Sequence, residues 1–392
     1  MQAITEEVRP IRVANIMEEG RFSGQHKRIL AVGEGLRRDG VEMIVYFPKL
    51  DSEYFEARLR QAGIEYRRME ISRPTKDLRL LVRYVLFFIP EIVALAYQLR
   101  KDQVNLVHCN GSWQIKGALA AKLVGRKVVW HLNDTRRPAF IKWIFTFLAA
   151  GLADTLIAAG IRVRTYYLQH RLLKEKRCEV IQAPVDTSKY DPAMVACKGV
   201  LAAYQGINIL TVANVNPIKG LEHFVDMARM LNERYVNLHF HVVGGIYARQ
   251  KNYYRKLQRR IRGYGLSNIY FHGFVADIET YLNECDIFVC SSLFEASPTS
   301  VWEAMAMGKA IVSTDVGDVG SIIRDGTNGF VVRPGSGKAL ADRVGLLIED
   351  PNRRAEFGIR AREEAVRSLD VKVCLEAHRR LYRMTVSGDG RG

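Results

Sequence analysis

Apolar, β-branched runs alternate with helical patterns along the whole chain. The strand-like runs are IRVANIM (11–17), VEMIVYF (41–47), VNLVHC (104–109), KVVWHL (127–132) and TLIAA (155–159), then INILTVA (207–213), LHFHVVG (238–244), IYFHG (269–273), DIFVCSS (286–292) and AIVST (310–314). Their hydrophobicity is continuous rather than alternating, which suits parallel strands buried on both faces. Between them lie segments such as LEHFVDMARMLNER (221–234), where Phe224, Met227, Ala228 and Leu231 recur at i, i+3, i+4 and i+7. Strand–helix alternation of this kind predicts an α/β protein with doubly wound sheets.

The alternation weakens over VDTSKYDPAMVACKGVLAAYQG (185–206) and restarts at 207. At 392 residues the chain exceeds one hydrophobic core. We therefore expect two Rossmann-like domains, residues 1–190 and 200–368, facing across a cleft that serves as the default ligand site. A C-terminal helix over 369–385 returns to the first domain in this scheme, and 386–392 is a disordered tail. The segments RLLVRYVLFFIPEIVALAYQLRK (79–101) and WIFTFLAAGLA (143–153) are apolar. Arg83, Pro90 and Glu91 interrupt the first, and the second is too short to span a bilayer, so both are expected to be buried helices.

Lysines and arginines outnumber aspartates and glutamates by 58 to 42, a formal net charge of +16. That balance calls for an anionic partner: nucleic acid, lipid headgroups or a nucleotide diphosphate. The basic residues are scattered and form no recognised nucleic-acid module, so nucleic acid is not expected. The six cysteines lack zinc-site spacing and read as reduced core thiols. The first ten residues hold no apolar stretch of signal-peptide length, which favours a cytoplasmic location.

The densest candidate chemistry is in SSLFEASPTSVWEAMAMGKAIVST (291–314). Ser297 suits an N-cap and Pro298 a first helical position, and the helix would stop at Gly308. Free N–H groups around 298–300, beside Ser297, Thr299 and Ser300, would make a diphosphate seat at the positive end of the helix dipole. Glu295 precedes this helix and Glu303 lies inside it, and each carboxylate can accept two hydrogen bonds from a vicinal diol.

The string E-x-x-P-x-x-x-x-E-A-M-A-x-G resembles the E-x7-E signature of the GT4-type retaining glycosyltransferases, which have the GT-B fold. The resemblance extends along nearly the whole chain. VANVNPIKGLEHFVDMA (212–228), HVVGG (241–245) and VGDVGSIIRDGTNGFVVRP (316–334) follow in the family's order. Earlier, EEGRFSGQHKRIL (18–30) is similar to the family's glycine-bearing loop, while VNLVHCNG (104–111) and VVWHLND (128–134) hold His108 and His131 where its strand-end histidines stand. The resemblance implies that Glu303 meets the nucleotide ribose, Glu295 the donor sugar hydroxyls and Lys219 the diphosphate. It places His131 near the reacting sugar and lets Gly24 bring backbone close to the ligand. Asn214 stands where the family often has an arginine, and Ser321 where a glutamate is frequent.

The implied reaction is sugar transfer, with retention, from a nucleoside diphosphate sugar to an acceptor hydroxyl on a saccharide or lipid-linked molecule. Cell-surface polysaccharide or glycolipid synthesis is the implied setting. The donor is a substrate, and no further cofactor is expected. No D-x-D pair occurs in the chain, so metal independence is expected. Alternatives are another GT-B nucleotide-sugar enzyme, such as an epimerase, or a basic nucleic-acid-binding protein. In RRPAFIKWIF (136–145), Arg136, Arg137, Lys142 and Trp143 are candidates for an acceptor or membrane patch. With the basic helix at 79–101 they would make the protein peripheral on an anionic membrane surface, the inner face of the cytoplasmic membrane.

Overall fold

Each apolar run named above forms a strand in the computed structural model, which describes residues 10–74, 77–135 and 139–388. The chain divides into two compact units, Met1–Ala183 with Cys374–Gly392, and Pro184–Val373. In the first unit the order is β1 (Ile11–Ile16), α1 (Gly24–Leu36), β2 (Val41–Pro48), α2 (Glu53–Gln61), β3 (Glu65–Met69), α3 (Leu78–Leu86) and α4 (Phe88–Lys101). There follow β4 (Leu106–Asn110), α5 (Ile115–Leu123), β5 (Lys127–Leu132), α6 (Ala139–Leu152), β6 (Thr155–Ala158), α7 (Ile161–Leu168), α8 (Arg171–Lys174) and β7 (Cys178–Val180).

The second unit runs β8 (Ile207–Val212), α9 (Leu221–Asn232), β9 (Leu238–Val243), α10 (Lys251–Gly263), β10 (Ile269–Gly273), α11 (Ile278–Glu284) and β11 (Ile287–Cys290). It continues with α12 (Thr299–Ala306), β12 (Ala310–Thr314), α13 (Val319–Ile322), β13 (Phe330–Val332), α14 (Gly337–Glu349) and α15 (Pro351–Ser368). The last helix, α16 (Val371–Ser387), belongs to the first unit from Cys374 onward.

Both sheets are parallel throughout. The first has order β3-β2-β1-β4-β5-β6-β7 and the second β10-β9-β8-β11-β12-β13. Each order reverses direction once, between β1 and β4 and between β8 and β11. Right-handed crossovers then send helices to opposite faces on either side of that point. Residues of α1, α2 and α16 pack one face of the first sheet, and residues of α4 to α8 the other. In the second unit α9, α10 and α14 cover one face, and α11, α12 and α13 with the inner residues of α15 the other. Ligands of such sheets sit beyond the strand carboxyl ends at the reversal, which makes the ends of β1, β4, β8 and β11 the places to inspect.

Four expectations are revised. The 79–101 segment is two helices bent by 58°, and α3 buries none of its residues. Its apolar side chains fill a broad arc, leaving only the side of Arg79 and Arg83, so no single packing face takes them all in. The stretch 184–206 is no free linker: Val185, Tyr190 and Leu201 are buried in the second unit, whose boundary falls at Pro184. Residues 386–387 are helical rather than tail, while 389–392 lie outside the described residues. The strands that the pattern did not reveal, β3, β7 and β13, are all sheet edges. They are short or charged, as in EYRRM of β3, because an edge strand is not enclosed on all sides.

The carboxyl end of α12 is set by a close approach. The carbonyl of Gly308 lies 2.1 Å from where a Cβ on Gly358 of α15 would stand. Gly358→Ala is therefore expected to force α15 away from α12 and lower the unfolding free energy of the chain by about 2 kcal/mol. Urea denaturation measures this, and an unchanged midpoint would show that the helices separate freely.

Candidate active site

At the reversal in the second sheet, the loops after β8 and β11 are fastened to each other. The chain leaves β8 through Asn214 into a 3-10 turn, Pro217–Lys219, whose Ile218 N–H is capped by the Asn216 side chain at 3.1 Å. Leu293 N–H then donates to Ile218 O at 2.8 Å, and the Ser291 hydroxyl donates to Lys219 O at 2.9 Å. Gly220 has φ +58, and a Cβ there would lie 2.3 Å from Ser291 O. Only glycine tolerates both the left-handed backbone and that contact.

The reward of this stitching is an ion pair. Lys219 Nζ meets Glu295 Oε1, and the Ser292 hydroxyl donates to the same oxygen at 2.8 Å. Ser292 is steadied in turn by Thr314 at the end of β12, whose hydroxyl donates to Ser292 O at 2.7 Å. The two ionic side chains keep 25% and 16% of their exposure, so a ligand can reach them.

The other donor-binding candidates are nearby but differently employed. Ser297 does not cap α12, because its hydroxyl accepts from Trp302 Nε1 at 3.1 Å and Pro298 occupies the N-cap position. The expected row of N–H groups is also reduced. Proline has none, and Thr299 N–H donates to Ser297 O at 3.0 Å. Thr299 and Ser300 are half-buried in the first turn of α12. Glu303 is almost wholly buried and hydrogen-bonded to the Tyr190 side chain. Burial, followed by the charge of Glu303, pushes the Tyr190 hydroxyl far up. Asn214 is exposed, and its Oδ1 accepts from Gly245 N–H at 2.9 Å. Tyr190 escaped the sequence reading because it lies far along the chain in a segment without periodicity.

In the first unit, Gly24 is the exposed first residue of α1, after a capping box of Ser23 and His26, with no left-handed backbone. His131, which the resemblance places near the reacting sugar, is fully buried in this structure. Arg28, four residues into α1, covers it: Arg28 Nη1 lies 2.8 Å from His131 Nε2, and Arg28 Nη2 donates to Asn110 Oδ1 at 2.7 Å. A guanidinium can only donate, so His131 carries its proton on Nδ1 and donates to His108 Nε2 at 3.2 Å. His108 Nδ1 then donates to the Tyr382 hydroxyl of α16 at 2.7 Å. One directed chain thus links α1, β5, β4 and α16. Beside it His378 Nδ1 donates to Cys374 O at 2.8 Å.

None of the described hydrogen-bond partners of buried Arg28 is a carboxylate, and burial lowers its pKa to about 10. The histidines are held neutral. His131 and His108 lie well below the usual range, through burial first and then through neighbouring charge that includes Arg28. His378 and, in the α1 cap, His26 are lowered to about 4, mainly by burial. The signal for this cluster was in the sequence: Arg28 is a cation within the otherwise apolar RIL of α1, and asparagines follow both strand-end histidines.

Of the patch candidates, Arg136 and Arg137 lie outside the described residues. Lys142 Nζ sits over the Tyr166 ring, 3.8 Å from its centroid, and Trp143 is exposed and stacked with Phe147. The two lie on the same helix, α6, with different neighbours.

The lowered histidines set a pH dependence. His26, His108, His131 and His378 are neutral when folded but bind protons near 6.5 when unfolded. Below that value the unfolded chain holds more protons, so stability falls as pH drops from about 6.5 toward 4. Each histidine contributes a slope of up to about 1.4 kcal/mol per pH unit. The urea midpoint is expected to be clearly lower at pH 5 than at pH 7.5; a flat profile would mean these rings are solvated.

Residues 202–364 match the family model described as Glycosyl transferases group 1, and residues 22–189 match Glycosyltransferase Family 4. The chain is 27% identical over 223 residues to N,N'-diacetylbacillosaminyl-diphospho-undecaprenol alpha-1,3-N-acetylgalactosaminyltransferase of Campylobacter jejuni, covering 55% of this chain and 57% of the relative. It is 28% identical over 244 residues to the lipopolysaccharide core biosynthesis mannosyltransferase LpcC of Rhizobium leguminosarum, covering 62% and 65%. The chain thus spans less than two thirds of either relative. The fold is similar to that of Anabaena HepE, solved in complex with UDP, with a TM-score of 0.81 at 20% identity over 95% of this chain and 100% of that one. A glycosyltransferase from Rickettsia africae gives a TM-score of 0.82 at 19% identity, covering 96% and 99%. Two parallel-sheet units, the paired glutamates around the α12 turn and both family models converge: this chain belongs to the group 1, GT4-type glycosyltransferases of GT-B fold.

Proposed function

We propose that the chain moves a sugar from a nucleoside diphosphate sugar to an acceptor hydroxyl with retention at the anomeric carbon, in the assembly of a cell-surface polysaccharide or glycolipid. The observation that carries this reading is the Lys219–Glu295 pair at the reversal of the second sheet. Without ligand the carboxylate neutralises the ammonium. An arriving diphosphate competes for Lys219, and charge building on the leaving phosphate is stabilised there and at the start of α9. Glu295, released from the lysine, then accepts hydrogen bonds from the donor sugar. Glu303, oriented by Tyr190, serves the ribose. His131, enclosed by Arg28, shapes the strand ends of the first unit rather than touching the sugar.

The relatives' names support the setting. The Campylobacter protein is named for transfer onto a diphospho-undecaprenol acceptor and the Rhizobium protein for lipopolysaccharide core synthesis. HepE was solved with UDP, which makes UDP-sugars the first donors to test.

Screening UDP-, GDP- and ADP-sugars for thermal stabilisation, then for slow hydrolysis, should identify a donor. With that donor, Lys219→Ala and Glu295→Ala are each expected to lower kcat by about 10²–10³ while leaving the fold intact. Near-normal turnover in either variant would remove the pair from the chemistry. The reaction is also expected to proceed at full rate in EDTA, since Lys219 and the helix ends meet the diphosphate charge; a rate that collapses and returns with a divalent cation would overturn metal independence.

A further inference from the structure

The first unit carries an apolar surface that no part of the described chain covers. Helix α3 exposes Leu78, Val82, Val85 and Leu86, the last at 68%. It continues into Phe87 and Ile89 at the start of α4, at 50% and 64%. On α6, Trp143, Ile144 and Phe147 stand outward, with Trp143 at 62%. The helices α4, α5 and α6 pack the same face of the sheet. Each runs back against its preceding strand, so the amino ends of α4 and α6 both lie at the carboxyl ends of the strands, the end that ligands use.

This surface is built rather than frayed. The Lys116 ammonium lies beneath α3, 4.1 Å from the Tyr84 ring centroid, and is paired with Glu91 at 2.6 Å and with the Ser72 hydroxyl at 2.9 Å. Arg83 is tied to Glu70 at 2.7 Å. Held through Tyr84 and Arg83 while Leu78, Val82, Val85 and Leu86 face outward, α3 is suited to a second apolar phase. Spanning that phase is excluded for α4, whose Ile92, Leu95 and Leu99 are buried against the sheet. No single described helix is long and apolar enough to cross a membrane. The net charge of +16 selects an anionic phase.

We propose that α3, with the amino-terminal turns of α4 and α6, embeds in the headgroup boundary of an anionic lipid bilayer as a monotopic anchor. This deepens the transfer reading by naming the surface from which the acceptor is presented, but donor binding in the second unit does not depend on it.

The test is sedimentation of the full chain with vesicles of phosphatidylcholine alone or mixed with phosphatidylglycerol. Binding is expected only to the mixed vesicles. The double variants Val85→Asp/Leu86→Asp and Trp143→Asp/Phe147→Asp should each weaken it by at least about tenfold. Val236→Asp, which replaces an 83%-exposed valine of the second unit, should leave it unchanged. Donor-induced thermal stabilisation, read on the same samples, should persist in all three, so loss of vesicle binding is separable from failure of the transfer reading. Equal binding to both vesicles, or wild-type binding by the double variants, would overturn the proposal. So would a dimer, seen by ultracentrifugation, that the same substitutions dissolve in a chain that ignores vesicles.

Discussion

The stitching of two loops at the reversal of the second sheet is the constraint on which the candidate chemistry depends. β8 and β11 are neighbours whose crossovers depart in opposite directions, so their loops are forced together at one end. A backbone hydrogen bond from Leu293 to Ile218 and one from the Ser291 hydroxyl to the Lys219 carbonyl, together with a glycine that tolerates the contact, hold the lysine and the glutamate within reach of each other. A partly exposed ion pair adds little stability of its own. Its value is positional: it holds a partly exposed cation and carboxylate together at the strand ends.

The first unit solves a different problem at the equivalent place. Its reversal lies between β1 and β4, and there it buries Arg28 among asparagine and histidine acceptors. A buried cation is expensive unless its hydrogen bonds are satisfied. Neutral rings can satisfy it only if their own protons point away, and this dictates the tautomers through His131 and His108 to Tyr382. The C-terminal helix is therefore joined to the strand ends by polar bonds as well as by the packing of Leu381 and Tyr382.

The apolar shell on α3 and α6 runs against the usual economy of a folded chain, where contiguous apolar surface is covered. The polar anchoring through Lys116 and Glu91 keeps α3 in place without burying its leucines and valines. Stability and exposure are thereby separated: one helix face is fixed by charge and aromatic contact, and the remainder is left for another phase.

Much of this was legible in the amino-acid order. Continuous β-branched runs specify parallel central strands because such strands are enclosed on every side, and the glutamate pair, the lysine-glycine turn and the family resemblance follow from residues close together in sequence. Three of the four edge strands, β3, β7 and β13, were not legible, since half-enclosed strands need no such pattern. Nor was the fate of 79–101, because a broad apolar arc on a helix signals burial in protein and exposure to lipid alike. Residue order alone determined the fold class and the family, and it singled out the lysine and glutamates of the candidate site. Only the tertiary structure decided that Tyr190 holds Glu303, that Ser297 serves Trp302 rather than the helix end, and that Arg28 encloses His131, because those contacts join residues from separate elements, and no local pattern records which distant partner a side chain will meet.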